Sequence, residues 1–71
     1  MQTFSLNGHE HIALCDLLKL TGLADSGGQA KTQIAEGRIR RNGKIETRKT
    51  AKIRAGEIIG QAGGGISEIQ P

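Results

Sequence analysis

SGGQAKTQIAEGRIRRNG, residues 26–43, predicts a capped helix that is followed directly by a β-hairpin. Ser26 and Gln29 have the spacing of a capping box, in which each side chain can bond an unpaired amide at a helix start. Gly37 supplies the stop signal. We therefore expect a helix from about Gly27 to Glu36. Its expected inner face consists of Ala30, Gln33 and Ile34.

The hairpin turns around Asn42-Gly43, and its register has two interpretations. A strict two-residue turn pairs Arg41 with Lys44 and leaves Ile39 and Ile45 on opposite faces. A three-residue loop that includes Arg41 places Ile39 across from Ile45, so that both can be buried. We favour the three-residue loop, which puts three cations and one acid on the other face. They are Arg38, Arg40, Lys44 and Glu46.

Segments before this stretch predict a strand and a first helix. TFSLNG, residues 3–8, alternates apolar and polar residues and ends in Asn-Gly, which is typical of a short strand and a turn. Between about Glu10 and Leu20 the apolar residues are too dense for a half-buried strand. A helix that ends at a left-handed Gly22 is expected there.

The C-terminal third predicts short strands. Pieces at 52–54 and 57–60 are separated by Ala55-Gly56. GQAGGGISEIQP, residues 60–71, is either a disordered Gly-rich tail or a last hairpin whose strand folds back on residues 57–61, and we favour the strand. The expected fold class is α+β: two helices packed against a small, mainly antiparallel sheet of short strands, in one domain spanning residues 1–71. The core candidates among its isoleucines are Ile53, Ile58 and Ile59.

Positive charge is concentrated in one part of the chain. Nine of the ten Lys and Arg residues lie between Lys31 and Arg54, with two acids, so this window carries nine minus two, or +7. The remaining residues carry one minus five, or −4. Such polarity is typical of a protein that binds a polyanion, because a basic face attracts phosphates and releases their counterions. The alternative from another class is a protein-interaction module whose basic face binds an acidic protein partner.

Length and composition argue against an enzyme. A 71-residue chain with one aromatic residue, Phe4, builds a thin aliphatic core that encloses neither a large cofactor nor a deep substrate pocket. We expect no catalytic residues and no cofactor. His9, His11, Cys15 and Asp16 are too loosely spaced for a convincing metal site, so no metal is expected.

The compartment follows from one cysteine and from the apolar pattern. A lone Cys15 cannot form an internal disulfide, which favours a reducing environment. No apolar run approaches the roughly 20 residues that span a membrane, and the first residues lack the pattern of a signal peptide. We expect a cytoplasmic monomer with no membrane partner.

One set of residues, spread over 12–59, combines these elements in a fixed order. Its members are Leu14, Leu18, Gly22-Leu23, Ser26, Ala30-Lys31, Ile34, Gly37-Arg38-Ile39, Asn42-Gly43-Lys44 and residues 55–59. Their spacing resembles the S-four-type RNA-binding domain, or alpha-L motif. The compact format, with LCDLLKL at 14–20 and ETRK at 46–49, is most similar to the small free-standing bacterial YbcJ-type proteins. The resemblance implies a non-catalytic protein that docks on structured RNA, ribosomal RNA or tRNA, with a ribosomal or RNA-processing protein as a further partner.

The resemblance also implies one RNA-binding face formed by the second helix and the hairpin. It transfers RNA contacts to Ser26, Lys31, Arg40, Asn42 and Lys44. Many members place Arg after the capping serine and a small apolar residue before the Asn-Gly turn, whereas this chain has Gly27 and Arg41 there. The RNA contact is therefore expected to shift toward the hairpin.

The residues themselves extend this set. Arg38, Arg40, Arg41 and Arg48 can fork to a phosphate or lie flat on a base, and the lysines at 31, 44, 49 and 52 add charge more diffusely. Gly27 and Gly28 can let a phosphate approach the helix amides, although we favour plain capping as the role of this segment. Without Trp or Tyr, we expect recognition through shape and phosphate rather than stacking on aromatic rings. The expected RNA-binding residues are Ser26, Gly27, Gly28, Lys31, Arg38, Arg40, Arg41, Asn42, Lys44, Arg48 and Lys49.

Overall fold

Two helices pack on one face of a five-stranded sheet in the computed structural model, which describes residues 2–71. The helices are α1 (Leu14–Thr21) and α2 (Gly27–Ala35). The strands are β1 (Gln2–Ser5), β2 (Ile12–Ala13), β3 (Ile39–Arg41), β4 (Lys44–Ile45), β5 (Lys52–Ile53), β6 (Ile58–Gln61) and β7 (Ile66–Gln70). The large sheet has the order β1-β7-β6-β3-β4, and β2 pairs separately with β5. Every strand pair is antiparallel except β1 with β7, which confirms the expected α+β class.

The core lies between the helices and the side of the sheet that we call its inner face. Ile39, Ile59 and Ile69 point to this face and are buried with Leu17 and Ile34 of the helices. Burying each such side chain contributes roughly 1.5–3 kcal/mol to folding. Of the predicted core isoleucines, Ile53 and Ile59 are fully buried, whereas Ile58 is exposed because strand alternation turns it to the opposite, outer face.

Helix α1 begins at Leu14, four residues later than expected from the apolar pattern. Residues 12 and 13 instead form β2, which pairs with the distant β5, Ile12 with Ile53 and Ala13 with Lys52. No side chain caps α1; the amides of Leu14 and Cys15 donate to the carbonyls of Ala51 (2.9 Å) and Lys49 (3.0 Å). The segment 46–51 thereby satisfies donors that would otherwise be unpaired. The predicted left-handed end at Gly22 is confirmed, with φ of 80°.

Helix α2 confirms the capping box. The Gln29 amide donates to Ser26 Oγ at 3.1 Å, and Gln29 Oε1 accepts from the Asp25 amide at 2.6 Å, one residue before the position usual in a capping box. Ala30 and Ile34 are buried on its inner side, as predicted. The helix ends before Gly37, whose φ is 76°.

The hairpin register differs from the favoured prediction. Arg41 pairs with Lys44 and Arg40 with Ile45, so the turn contains only Asn42 and Gly43, both with positive φ (53° and 85°). This geometry matches the strand twist of a two-residue hairpin. The three-residue loop is therefore wrong, and Ile45 is 60% exposed rather than buried. The expected grouping of Arg40 with Lys44 on one face is also wrong, since paired residues share a face and these two belong to different pairs.

The C-terminal strand is confirmed, because β7 lies inside the sheet between β1 and β6. It pairs antiparallel with β6 and parallel with β1. The Gly-rich segment forms the β6–β7 turn, where Gly63 and Gly64 have φ near 110°. The alternative of a disordered tail is thereby excluded.

The Asn42 turn gives a first prediction. Asn42 Oδ1 accepts from the Ile58 amide at 2.9 Å, and its left-handed backbone costs a residue with a Cβ roughly 1–2 kcal/mol. Asn42→Ala should lower the free energy of unfolding by about 2 kcal/mol. Asn42→Gly removes the same side chain, but glycine adopts the left-handed conformation without this cost. Urea denaturation should therefore show a decrease in the free energy of unfolding that is about 1 kcal/mol smaller than for Asn42→Ala. Equal stability of the two variants would contradict the left-handed turn.

Candidate nucleic-acid interface

A concave surface between α2 and the segment 46–51 gathers basic side chains from separate elements. Lys31 comes from α2, Arg48 and Lys49 from the segment, and Lys52 from β5, and all four are exposed. We call this surface the basic groove. It is lined by Lys31, Arg41, Thr47, Arg48, Lys49, Thr50, Ala51 and Lys52.

The backbone of the segment is held by the start of α1. Its carbonyls at Lys49 and Ala51 accept from the first amides of that helix, and the Ala51 amide donates to Arg48 at 3.2 Å. Ala51 is buried while residues 47–50 are exposed. The chain is therefore anchored through its main chain, which leaves the side chains of Arg48 and Lys49 directed to solvent.

Arg41 joins three parts of the fold beneath the groove. Its Nε and Nη2 donate to the two carboxylate oxygens of Glu57 at 2.6 and 3.1 Å, and Nη1 donates to Glu46 at 3.2 Å. Nη2 also donates to the Lys52 carbonyl at 3.0 Å. The side chain is 24% exposed, and the hydrogen bond to Glu57 raises its pKa. Because its donors are used internally, Arg41 has a structural role and little capacity left for a phosphate.

The two carboxylates around Arg41 are held in the charged form. Hydrogen bonding to Arg48, and then to Arg41, lowers the pKa of Glu46 from 4.5 to about 2 despite partial burial. Burial alone would raise the pKa of Glu57, but hydrogen bonds from Arg41 and the Arg54 amide outweigh it and lower that pKa. Glu46 also bonds Nε and Nη2 of Arg48 at 3.1 Å, which fixes this exposed guanidinium at the groove edge.

Two further residues of the expected set have internal hydrogen bonds. Asn42 bonds the Ile58 amide and also donates from Nδ2 to Glu57 at 3.2 Å, and Ser26 Oγ caps α2. Gly27 and Gly28 form the first turn of α2. An added Cβ meets nothing within 4 Å at Gly27, and only Ser26 Oγ at 3.9 Å at Gly28. Packing therefore requires glycine at neither position.

The remaining hairpin cations lie outside the groove. Arg40 points to the outer face of the sheet, Lys44 is paired across from Arg41, and Arg38 forms an exposed ion pair with Glu36 at 3.2 Å. The structure thus brings Lys31, Arg48 and Lys49 together but separates them from Arg40. Lys52, which the sequence predicts to add only diffuse positive charge, also lines the groove. The sequence indicates that the Lys52 side chain points outward, because Lys52 precedes the buried Ile53 on a strand. Its proximity to Lys31 depends on the long-range pairing of β5 with β2, which the sequence does not reveal.

A family model described as an S4 domain matches residues 4–69. The chain belongs to the S4 domain family. YbcJ of Escherichia coli (strain K12), whose name carries an inferred RNA-binding role, is 51% identical over 69 residues, which cover 97% of this chain and 99% of YbcJ. YbcJ of Shigella flexneri, whose name assigns no function, has the same identity and coverage.

A solved structure gives the same S4 relationship in three dimensions. The solution structure of E. coli YbcJ, described as revealing an alfaL motif involved in RNA binding, matches with a TM-score of 0.78 and 49% identity. The match covers 100% of this S4 domain and 89% of that chain. The expected resemblance to YbcJ-type proteins is therefore confirmed.

Within residues 2–71, no group of three or more His, Cys, Asp or Glu side chains is placed to hold a metal ion. Over the same range, neither helix has the length and apolar character needed to cross a membrane.

The pKa of Glu46 predicts how acid destabilises the S4 domain. Because the folded pKa lies below that of the unfolded chain, the carboxylate stabilises the fold fully above about pH 5, and this contribution is lost as the pH falls toward 2. Glu46→Gln should lower the free energy of unfolding at pH 7 and flatten its decline between pH 5 and 2, measured by urea denaturation. The control is Glu10→Gln, which removes an exposed carboxylate outside the Arg41 network. If the free energy of unfolding declines as steeply between pH 5 and 2 in Glu46→Gln as in the parent, the ion pairs of Glu46 do not form.

Proposed function

We propose that this S4 domain binds structured RNA, ribosomal RNA or tRNA, through the basic groove and without catalysing a reaction. The observation that carries the proposal is the convergence of Lys31, Arg48, Lys49 and Lys52 on one concave surface. Arg41 and Arg48 balance the charges of Glu46 and Glu57, so the net positive charge of the groove comes from its three lysines. The groove therefore keeps its positive potential for a ligand.

The chemistry of the groove suits a phosphate backbone. Concave surfaces lined by one sign of charge concentrate the field and attract a polyanion. Thr47 and Thr50 add hydroxyl groups that can donate to phosphate oxygens. Such contacts position an RNA without reading its sequence, so the groove supports recognition by the spacing of phosphates in a folded RNA.

Other expected residues extend this contact around the groove. The first turn of α2, with Gly27 and Gly28 behind Ser26, presents amides and the positive end of the helix dipole to a further phosphate. Arg38 and Lys44 add charge on the hairpin side. In this proposal the protein acts in the cytoplasm, where it binds ribosomal RNA or tRNA as a monomer. The name and the structure description of YbcJ, which refer to RNA binding, support the proposal by family membership.

Salt dependence tests whether the partner is a nucleic acid. If each of the three groove lysines neutralises one phosphate, the logarithm of the affinity should fall against the logarithm of salt concentration with a slope of roughly −2 to −3. The measurement is fluorescence anisotropy of a labelled stem-loop RNA between about 50 and 200 mM KCl. Salt-independent RNA binding would contradict the proposal, as would tight binding to an acidic protein combined with none to RNA.

Substitution in the groove tests where the RNA lies. The double variant Lys49→Ala/Lys52→Ala should weaken RNA binding about tenfold or more and make the salt slope shallower by about 1.5, because two phosphate contacts are lost. Both side chains are exposed, so thermal unfolding should change little. Lys19→Ala is the matched control on α1, outside the groove, and should leave the affinity nearly unchanged. If Lys19→Ala weakens binding as much as the double variant, the RNA does not occupy the groove.

A further inference from the structure

The outer face of the sheet, opposite the helices, carries three of the four exposed large apolar side chains in residues 2–71. Ile45, Ile58 and Ile66 are 60%, 42% and 41% exposed, and the fourth, Leu20, lies on α1. Their neighbours along the strands, such as Ile59, point inward and are buried. Strand alternation therefore places the three isoleucines together on one open surface.

Gly60 lies in the middle of this surface. Strand pairing creates a row across the sheet in the order Ile66, Gly60, Arg40 and Ile45. Neighbouring strands are about 4.8 Å apart, so Ile66 and Arg40 are about 10 Å apart with only backbone between them. A Cβ added at Gly60 meets nothing within 4 Å. The missing side chain leaves a shallow hollow with a flat peptide floor, which we call the Gly60 hollow; its lining includes Arg40, Ile58, Gly60 and Ile66.

Arg40 is the charged group beside the hollow. It is exposed and, like Arg54, has no carboxylate within ion-pair distance in residues 2–71, whereas Arg38 and Arg48 each bond one and Arg41 bonds two. An unpaired guanidinium can lie flat on a planar ring or fork to a phosphate. The ligand of this face therefore combines a flat, weakly polar surface with a negative charge close beside it.

We propose that the Gly60 hollow holds one unpaired RNA base, packed against Ile58 and Ile66, with Arg40 bonded to the phosphate of the same nucleotide. Glu68 lies across from Ile58 and repels a phosphate there, so the phosphate lies at the Arg40 end. This inference rests on the proposed RNA-binding function. It adds to the basic groove a second RNA contact, in which the hollow binds one single-stranded nucleotide. Aliphatic side chains and a guanidinium here replace the aromatic platform that the chain lacks.

An RNA nucleotide fits the row better than a stretch of protein. One nucleotide carries a planar base and a phosphate a few ångströms apart, which matches the hollow and its adjacent arginine. A protein segment would have to place an acid beside Ile45 and an apolar group over Gly60, while Arg40 interrupts the apolar surface on which it would pack. The hollow is also short, spanning the width of one strand between Ile66 and Arg40.

Gly60→Val is the decisive variant. A β-branched residue suits a strand and meets no atom at its Cβ, so the fold should persist while the hollow is filled. The ligands are a stem-loop RNA with 2-aminopurine at one loop position and a blunt duplex of the same stem. The parent protein should bind the stem-loop about tenfold more tightly than the duplex and change the 2-aminopurine fluorescence. Gly60→Val should abolish both the preference and the fluorescence change, with duplex affinity within about twofold of the parent.

Controls separate this contact from the basic groove. Leu20→Ser removes the exposed apolar side chain on α1 and should leave the stem-loop preference intact, whereas Ile66→Ser should reduce it. Lys49→Ala/Lys52→Ala should weaken both RNAs equally. Circular dichroism and thermal unfolding of every variant establish that the fold is retained.

Three results would overturn the inference. If Gly60→Val keeps the stem-loop preference while the groove variant still weakens both RNAs, the hollow holds no base and the proposed function stands. If neither RNA binds the parent, the proposed function fails and the inference fails with it. If a synthetic peptide of alternating Asp and Leu binds the parent in place of the loop, and Gly60→Val abolishes that binding, the face accepts an acidic protein segment.

Discussion

The guanidinium of Arg41, held between Glu57 and Glu46, connects parts of the chain that are otherwise separate. It extends from β3 to the turn before β6, to the residue that follows β4 and to the carbonyl of Lys52 in β5. All three side chains are largely buried, so removal of Arg41 would leave Glu57 without an ion-pair partner and Glu46 with Arg48 alone, which is costly. The relative positions of the hairpin, β5 and β6 depend on this interaction.

The basic groove is a consequence of that arrangement. Its segment 46–51 is fixed at one end by Glu46, which binds Arg41 and Arg48, and at the other by the first amides of α1. The cations are thus presented from a backbone that is already ordered, and little further ordering is needed when a ligand binds. The net charge of the groove remains positive because Glu46 and Glu57 form ion pairs with Arg41 and Arg48.

Local signals in the sequence predict much of this fold. The Ser26–Gln29 spacing and Gly37 specify α2, and the run of cations identifies the basic part of the molecule. The register of the hairpin was predicted wrongly because burial of Ile45 was expected to dominate. In the structure, the left-handed preference of Asn42-Gly43 and the ion pairs of Arg41 outweigh that burial. The late start of α1 depends on pairing of β2 with β5, which no local pattern reveals.

Parallel pairing of β1 with β7 links the two ends of the sequence. Gln2 lies beside Ser67, so this contact needs residues 2–67 to be available. Because β7 also separates β1 from β6, the sheet is incomplete until residues 66–70 are in place. The helices and the hairpin can form early, since their contacts are local, but β1 can pair with β7 only once the segment between them has folded back. Completion of the sheet therefore requires closure of a long loop, which we expect to be slower than formation of the local helices and hairpin.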